Sequence, residues 1–398
     1  MGSEGLERIV RSHPAAQREA VAPRCRHFGV CGGCDLQDVP QQAQLEGKTA
    51  VVAEMLSAYE GLAGVAVQRA LGPTEPWEYR NKIEMTFGAS PEGVTLGFTP
   101  KRKFHAVVDI TECPITPRRL VDVAAAVRQF AREHNLDAYD TRTHEGLLRN
   151  LVVREGRTTG DLLINLVCAS ADWPFAQFAA AMKPFQASGV MWTLNRQVSN
   201  AVKFDQVHML AGSEIVTERL MGMTFSFSPQ SFFQTNTAIA EVLCRTVVQA
   251  AGQGEGRVLD AYCGVGTFSL LLAHAWGSVV GVEMVEQAIS DARANAERNA
   301  VRNVAFVCRA AEDYQWSPGQ FELVLLDPPR PGCHTKLIRR LLETRPPRII
   351  YVSCSPASLA ADLARLQEGY VIESVQPVDM FPQTVHVESV ALLAARDG

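Results

Sequence analysis

No stretch of this sequence is apolar for long enough to cross a membrane as a helix. The richest, Phe268 to Val282, is broken by Ser269, His274, Gly277 and Ser278 and falls short of the roughly 18 uninterrupted apolar residues a span requires. The first residues, MGSEGLERIVRSHPAAQREAV, are charged throughout and lack the apolar centre of a secretory signal, so the cytoplasm is the expected compartment and no membrane is expected as a partner. A surplus of positive charge is missing too: 38 Lys and Arg stand against 43 Asp and Glu, for a net charge of -5 and a pI near 6.0. That balance excludes overall attraction to a polyanion, and any nucleic acid must be held by a local basic surface. Without repeats or low-complexity segments, the chain reads as a globular protein of 398 residues, 47% of them hydrophobic, long enough for about two or three domains.

What is present divides near residue 220. From Arg257 onward, apolar runs alternate with amphipathic stretches, the pattern of repeated βα units on a mainly parallel sheet. Strands are expected at 257–261, 278–283, 304–308, 322–326 and 348–353, with helices at 268–275, 285–299 and 335–344 between them. A further helix starts after Ser355, where Ser-Pro supplies a cap and a proline at the first helical position. Strands at 371–378 and 387–394 close the sheet. Upstream, Tyr79 to Phe87 alternates, with Arg80, Lys82, Glu84 and Thr86 on one face and Tyr79, Ile83, Met85 and Phe87 on the other, as a half-buried strand does. Residues 41–59 read as a helix linking a cysteine-rich segment to this β-rich region.

Two features carry nucleoside chemistry. Asp260-Ala-Tyr262-Cys-Gly264-Val-Gly266 follows a strand and opens a helix, where glycines let the backbone turn sharply and approach a ligand. Glu283 ends the next strand, placed to accept hydrogen bonds from both ribose hydroxyls. The third glycine of the dinucleotide pattern is absent, and S-adenosylmethionine has no pyrophosphate to cradle, so the pair favours the methyl donor over NAD. A GxG by itself also occurs in purely structural strand-to-helix turns.

Two further residues fall at the same sheet edge. Asp327, in Leu325-Leu326-Asp327-Pro328-Pro329-Arg330, ends a strand at the side where open α/β sheets bind ligands. One strand later Cys354, in Tyr351-Val352-Ser353-Cys354-Ser355-Pro356, sits at a helix amino terminus, which is expected to lower its thiol pKa. Taken singly, a cysteine ending a strand is more often a small buried hydrophobe. Thiolate addition to C6 of uracil would make C5 nucleophilic, after which a base must take the C5 proton. Glu388, among apolar neighbours on the last strand, is a candidate base because burial raises its pKa, though a solvent-facing strand residue fits the same pattern.

The ordered set SPQSFFQTN (228–236), DAYCGVGTF (260–268), LLDPPRPG, YVSCSP and DMFPQTVHVESV resembles the bacterial RNA uracil-C5 methyltransferases, most closely the shorter 23S ribosomal RNA type, from Cys25 to the carboxyl terminus. The resemblance implies a class I S-adenosylmethionine-dependent methyltransferase domain, Rossmann-like with a doubly wound sheet, over 221–398. A β-rich α+β RNA-binding domain carrying an iron-sulfur cluster would occupy 25–220, behind a tail at 1–24. It implies Cys354 as nucleophile, Glu388 as base, and Gln234, Tyr262, Glu283 and Asp327 as contacts to cofactor or target base. Thr267 stands where such proteins often have asparagine or glycine, and Gln383 where they often have histidine.

Cys25-x5-Cys31-Gly-Gly-Cys34 has the close spacing of ligands around one metal centre, with Cys113, in Cys113-Pro114, as the fourth. The resemblance implies a [4Fe-4S] cluster on these four residues, and a tetrahedral zinc site is the rival. Arg80, Lys82, Lys101, Arg102 and Lys103 are candidate phosphate contacts to RNA, whose target uridine must be flipped out to be reached. The expected activity is S-adenosylmethionine-dependent formation of 5-methyluridine in RNA, 23S rRNA before tRNA, with no obligate protein partner evident. Cytosine-C5 methylation and a non-catalytic iron-sulfur RNA-binding factor are the competing readings.

Overall fold

The computed structural model describes residues 2–18, 20–91, 93–101, 106–197 and 206–396. The chain starts with helices α1 (Ser3–Ser12) and α2 (Pro14–Arg18), followed after the cysteine-rich segment by α3 (Gln41–Ser57). Leu6, Ile9 and Val10 recur at helical spacing and are buried against α3. A tail over residues 1–24 is therefore corrected: the apolar stripe of α1 gives it a face that must be covered, and α3 covers it.

The next portion is a seven-stranded sheet of β1 (Lys82–Ser90), β2 (Gly93–Phe98), β3 (Val108–Asp109), β4 (Leu148–Glu155), β5 (Leu162–Cys168), β6 (Gly189–Leu194) and β7 (Gln206–Gly212), in the order β3-β2-β1-β4-β5-β6-β7. Ile83, Met85 and Phe87 turn inward from β1, while Lys82, Glu84 and Thr86 lie on the more open face. Helices α4 (Arg118–Glu133) and α5 (Phe175–Met182) seal the inner face with Leu120, Val127, Phe130 and Phe178. Leu163 and Met191 join a different core, formed with the hairpin β8 (Val216–Leu220) and β9 (Met223–Phe227).

After α6 (Thr237–Ala251), a second seven-stranded sheet follows. Its members are β10 (Gly254–Asp260), α7 (Thr267–Ala273), β11 (Trp276–Glu283), α8 (Glu286–Arg298), β12 (Val304–Cys308), β13 (Leu323–Leu326), α9 (Thr335–Thr344), β14 (Arg348–Ser353), α10 (Pro356–Leu366), β15 (Tyr370–Val378) and β16 (Glu388–Ala395). The order is β12-β11-β10-β13-β14-β16-β15, parallel through β14, with β16 inserted antiparallel between β14 and β15. Ser355 caps α10 by accepting a hydrogen bond from the Ser358 N–H, and Pro356 opens the helix. Strand order reverses on either side of β10, and the crevice at such a switch point is where open α/β sheets bind ligands.

The core of this second sheet does not respect a boundary at 220. Val51, Val52, Met55 and Leu56 of α3 share one core with Leu359, Leu363 and Leu366 of α10 and with Tyr370 and Val375 of β15. The first 60 or so residues thus complete the carboxyl-terminal body, and the central sheet is inserted between the two parts. Among the described residues no helix is long and apolar enough to cross a membrane.

Gly47 sits where α1 crosses α3: a Cβ there would lie 2.7 Å from Val10 Cγ1 and 2.9 Å from Val10 Cα. Gly47→Leu is expected to lower the unfolding free energy by about 1–3 kcal/mol, the usual cost of overpacking. Urea titration reads this directly, and an unchanged midpoint would show that α1 does not dock on α3.

Candidate active site

Five side chains reach one edge of the second sheet for a topological reason. Asp260, Glu283 and Asp327 end or directly follow β10, β11 and β13, and Cys354 follows β14, all parallel strands that finish at the same edge. Because β16 runs the other way, its first residue, Glu388, arrives there too. The β14–β16 register pairs Ser353 with Ser389, which sets Cys354 and Glu388 beside each other at the strand ends.

The cofactor residues predicted from sequence divide into two groups. Gln234, Tyr262, Gly264 and Asp327 line one cavity, together with Phe232 and Phe233. Gly266 and Glu283 support it from outside. Glu283 accepts hydrogen bonds from the Gly264 N–H at 3.3 Å and the Val285 N–H at 2.9 Å, so it braces the turn it was expected to complement. Gly264 (φ 52°) and Gly266 (φ 85°) both occupy the left-handed region that favours glycine. A Cβ on Gly264 would meet open space, whereas one on Gly266 would lie 3.0 Å from the Phe306 ring. Asp260 accepts a 2.6 Å hydrogen bond from the Ser269 hydroxyl at Oδ2, but its buried Oδ1 has no side-chain or backbone hydrogen-bond partner among the described residues. An open glycine turn, a ribose-type carboxylate and an orphaned buried oxygen fit a bound nucleoside with a cationic side chain.

The loop bearing Gln234 is pinned from two sides. Asp291 Oδ2 accepts from the Ser228 N–H, the Ser228 hydroxyl and the Ser231 hydroxyl at 3.0, 2.6 and 2.7 Å. Buried Arg154 on β4 donates to the carbonyls of Ser231 and Phe233 and lies 4.5 Å over the Phe227 ring. Burial pulls its pKa down to about 10. Local sequence offered no signal for Arg154 or Asp291, since each acts on a segment more than 50 residues away.

Acidic groups cluster around Cys354 and Glu388. Burial lifts Glu388 to about 7, with Arg330 opposing. Asp327 is pushed well above the ordinary carboxylate range, first by burial and then by Glu388 and Asp260. Cys354 is half-buried, and its thiol is pushed up to about 11 by burial and then by the Glu388 and Asp327 carboxylates. The expectation of a lowered thiol pKa is therefore corrected: the start of α10 is outweighed by desolvation and two acidic neighbours, with Arg330 the cation that opposes them. Sequence reasoning gave Arg330 no role, yet its charge acts on Cys354, Glu388 and His386 alike.

Cys25, Cys31, Cys34 and Cys113 all line a second cavity of about 420 Å³, walled by Phe28, Phe98 and Ile115. Among the described residues no group of three or more His, Cys, Asp or Glu is arranged to hold a single ion. One tetrahedral ion would need four sulfurs at about 2.3 Å from a common point. Burial raises the thiols of Cys25, Cys31 and Cys34, the last to about 12. Arg80 also lines this cavity. Lys101 pairs with Glu7 at 3.0 Å and with Asp35, and Lys82 pairs with Glu84 at 3.4 Å, so both ammonium groups are engaged within the chain. Arg102 and Lys103 lie outside the described residues.

A mixed sheet in this order, with a glycine-turn cavity at the switch point of its parallel part, defines a class I S-adenosylmethionine-dependent methyltransferase fold. The family model for tRNA (uracil-5-)-methyltransferases matches residues 193–396. An uncharacterized RNA methyltransferase of Halalkalibacterium halodurans is 36% identical over 99% of this chain and 87% of its own length. One from Listeria monocytogenes is 37% identical over 94% and 84%. The crystal structure of the Pyrococcus abyssi tRNA (uracil-54, C5)-methyltransferase in complex with S-adenosyl-L-homocysteine superposes with a TM-score of 0.77 at 31% identity, over 92% of this chain and 86% of that one. The chain belongs to this family of RNA uracil-5-methyltransferases.

The electrostatics of Cys354 can be read by alkylation. Iodoacetamide labelling of the free protein, mapped by mass spectrometry, should give Cys354 a reactivity midpoint near pH 11, above the ordinary 9.0. Glu388→Gln removes a neighbouring negative charge and should move that midpoint down. A midpoint at or below 9 in the unsubstituted protein would contradict this description.

Proposed function

We propose that this protein methylates C5 of a flipped-out uridine in RNA through a covalent intermediate on Cys354. The observation that carries the reading is the meeting of Cys354 and Glu388 at the sheet edge that also holds the nucleoside pocket. S-adenosylmethionine, when bound, supplies a methyl group on a positively charged sulfur. The chain's own groups do the rest. The Cys354 sulfur adds to C6 and pushes electrons into the ring, so that C5 becomes nucleophilic. Glu388, with its pKa near 7, suits removal of the C5 proton at neutral pH. As that proton leaves, the C5–H electrons form the C5–C6 double bond and the sulfur is expelled. Arg330 offers the positive charge that favours the thiolate.

Ribosomal 23S RNA is the substrate we infer from the motif set, and tRNA is the second reading, favoured by the Pyrococcus abyssi neighbour. The four cysteines are proposed to hold a [4Fe-4S] cluster. All four line one cavity, and a tetrahedral zinc site on the same thiolates is the rival. Methyl transfer needs no electron, which gives the cluster a structural part.

With labelled methyl donor and unmodified 23S rRNA or tRNA, label should appear as 5-methyluridine in one RNA. Cys354→Ala should abolish both transfer and any covalent adduct. Glu388→Gln should slow turnover by about 10²–10⁴-fold while a methylated adduct accumulates. Label in 5-methylcytidine, or turnover by Cys354→Ala, would overturn the reading. For the cluster, anaerobically purified protein should carry about four iron per chain, and Cys113→Ser should lose them. One zinc and no iron would instead support the mononuclear site.

A further inference from the structure

Residues 379–387 join β15 to β16 and deliver His386 and Glu388 to the reaction centre. Much of what holds them comes from the other end of the chain. Lys48, wholly buried on α3, pairs with Asp379 at 2.5 Å and donates to the Phe381 carbonyl at 3.1 Å. Gln44, one helical turn earlier, makes a reciprocal pair: its Nε2 donates to Gln383 Oε1 and its Oε1 accepts from the Gln383 N–H, each at 3.0 Å. The Gln383 carbonyl accepts from the N–H groups of both Asp35 and Leu36, at 2.9 and 3.0 Å. Asp35 Oδ2 in turn accepts from the Val385 N–H at 3.2 Å. Asp35 directly follows Cys34, so the cysteine segment and the segment leading to Glu388 are bonded to each other.

Gln383 is the centre of this arrangement. It is 3% exposed and holds φ at 70°, a conformation costly for a residue with a Cβ unless its surroundings enforce it. Its backbone N–H, carbonyl and side-chain oxygen are each used, on two different partner segments. Cys354 is carried by β14 and α10, and none of the hydrogen bonds described for Gln383 reaches either element.

We propose that Gln383 is a positioning residue for Glu388: through Gln44 and the Asp35–Leu36 backbone it fixes the loop that leads into the carboxylate, adding to the β14–β16 register that sets Glu388 beside the thiol. The inference rests on the reading of Glu388 as base. It divides the reaction into two separable halves. Addition of sulfur to C6 and methyl transfer depend on Cys354. Proton removal from C5, with return of its electron pair to the ring and cleavage of the C6–S bond, depends on the loop.

The test uses Gln383→Leu in the full-length protein. Leucine keeps the unbranched Cβ and similar bulk but removes the bond from Gln44 Nε2. Hydrogen exchange at the Val385 amide should accelerate, reporting a loosened loop. With RNA bearing 5-fluorouridine, which has no C5 proton to surrender, the covalent adduct should form within about twofold of the unsubstituted rate. On ordinary uridine RNA, adduct release should slow by about tenfold or more, as expected when a reacting group is misplaced, and 5-deuterated uridine should slow it further. Lys48→Met combined with Asp379→Leu replaces the buried ion pair by apolar groups, a change that often preserves folding. The double change also removes the Lys48 bond to the Phe381 carbonyl, which loosens the same loop, so it should give the same accumulation and decides the matter if Gln383→Leu does not fold.

Equal slowing of adduct formation and release, or release at the unsubstituted rate with no isotope effect, would overturn the assignment. Absence of any adduct in the unsubstituted protein would overturn the covalent reading itself, and this inference with it.

Discussion

The arrangement of the site depends on the reversed direction of a single strand. Were β16 parallel to its neighbours, Glu388 would emerge at the far edge of the sheet, a strand's length from Cys354. Inserting it antiparallel between β14 and β15 turns a strand beginning into a partner for strand ends. The same geometry crowds acidic groups. Asp327, Glu388 and the Cys354 thiol are packed where water is scarce, and each discourages ionisation of another. Arg330 enters this group from the loop after β13 and is held there by the Ser358 hydroxyl, which donates to its carbonyl at 2.9 Å. The thiol's low tendency to ionise in the free protein follows from burial and proximity, whatever the helix behind it contributes.

Much of the carboxyl-terminal sheet was legible because its signals are local. Apolar runs of five to eight residues, glycine turns and the Ser355-Pro356 cap each declare themselves within a few positions, and every strand expected there is present within a few residues. The inward alternation of Ile83, Met85 and Phe87 was equally direct. Gly264, Gly266, Glu283 and Asp327 could be placed together from sequence because strand ends at one sheet edge are neighbours by topology. What sequence pattern could not reveal were the pairings made by distance: Arg154 with the carbonyls of residues 231 and 233, Asp291 with two serines, and Lys48 with Asp379 across more than 300 residues. A buried lysine in α3 looks like any other helical lysine until its partner is found. For the same reason Lys82 and Lys101 resembled free surface charge although each has an acidic neighbour.

The packing also explains why the amino-terminal segment was misjudged. α1 is short and polar on most of its surface, and nothing in its own composition says that α3 will receive it. Once docked, α1 and the cysteine segment share Asp35 and Asp38 as common anchors: Arg11 pairs with Asp38 at 2.9 Å and Lys101 bridges Glu7 and Asp35. The cysteine-lined cavity is thus built on the same framework that supports the carboxyl-terminal body, with Arg80, Phe98 and Ile115 from the central region contributing to its wall.

That framework has a consequence for how the polypeptide comes into being. Ribosomes release the amino end first, and α3 leaves the exit tunnel with Val51, Val52, Met55 and Leu56 ready to be covered, while α10 and β15, which cover them, lie some 300 residues downstream. The central sheet can close on its own core in the interval. The opening helices must wait, that side of α3 unshielded, until α10 and β15 have been made, a delay in which chaperone capture and misassembly compete with folding.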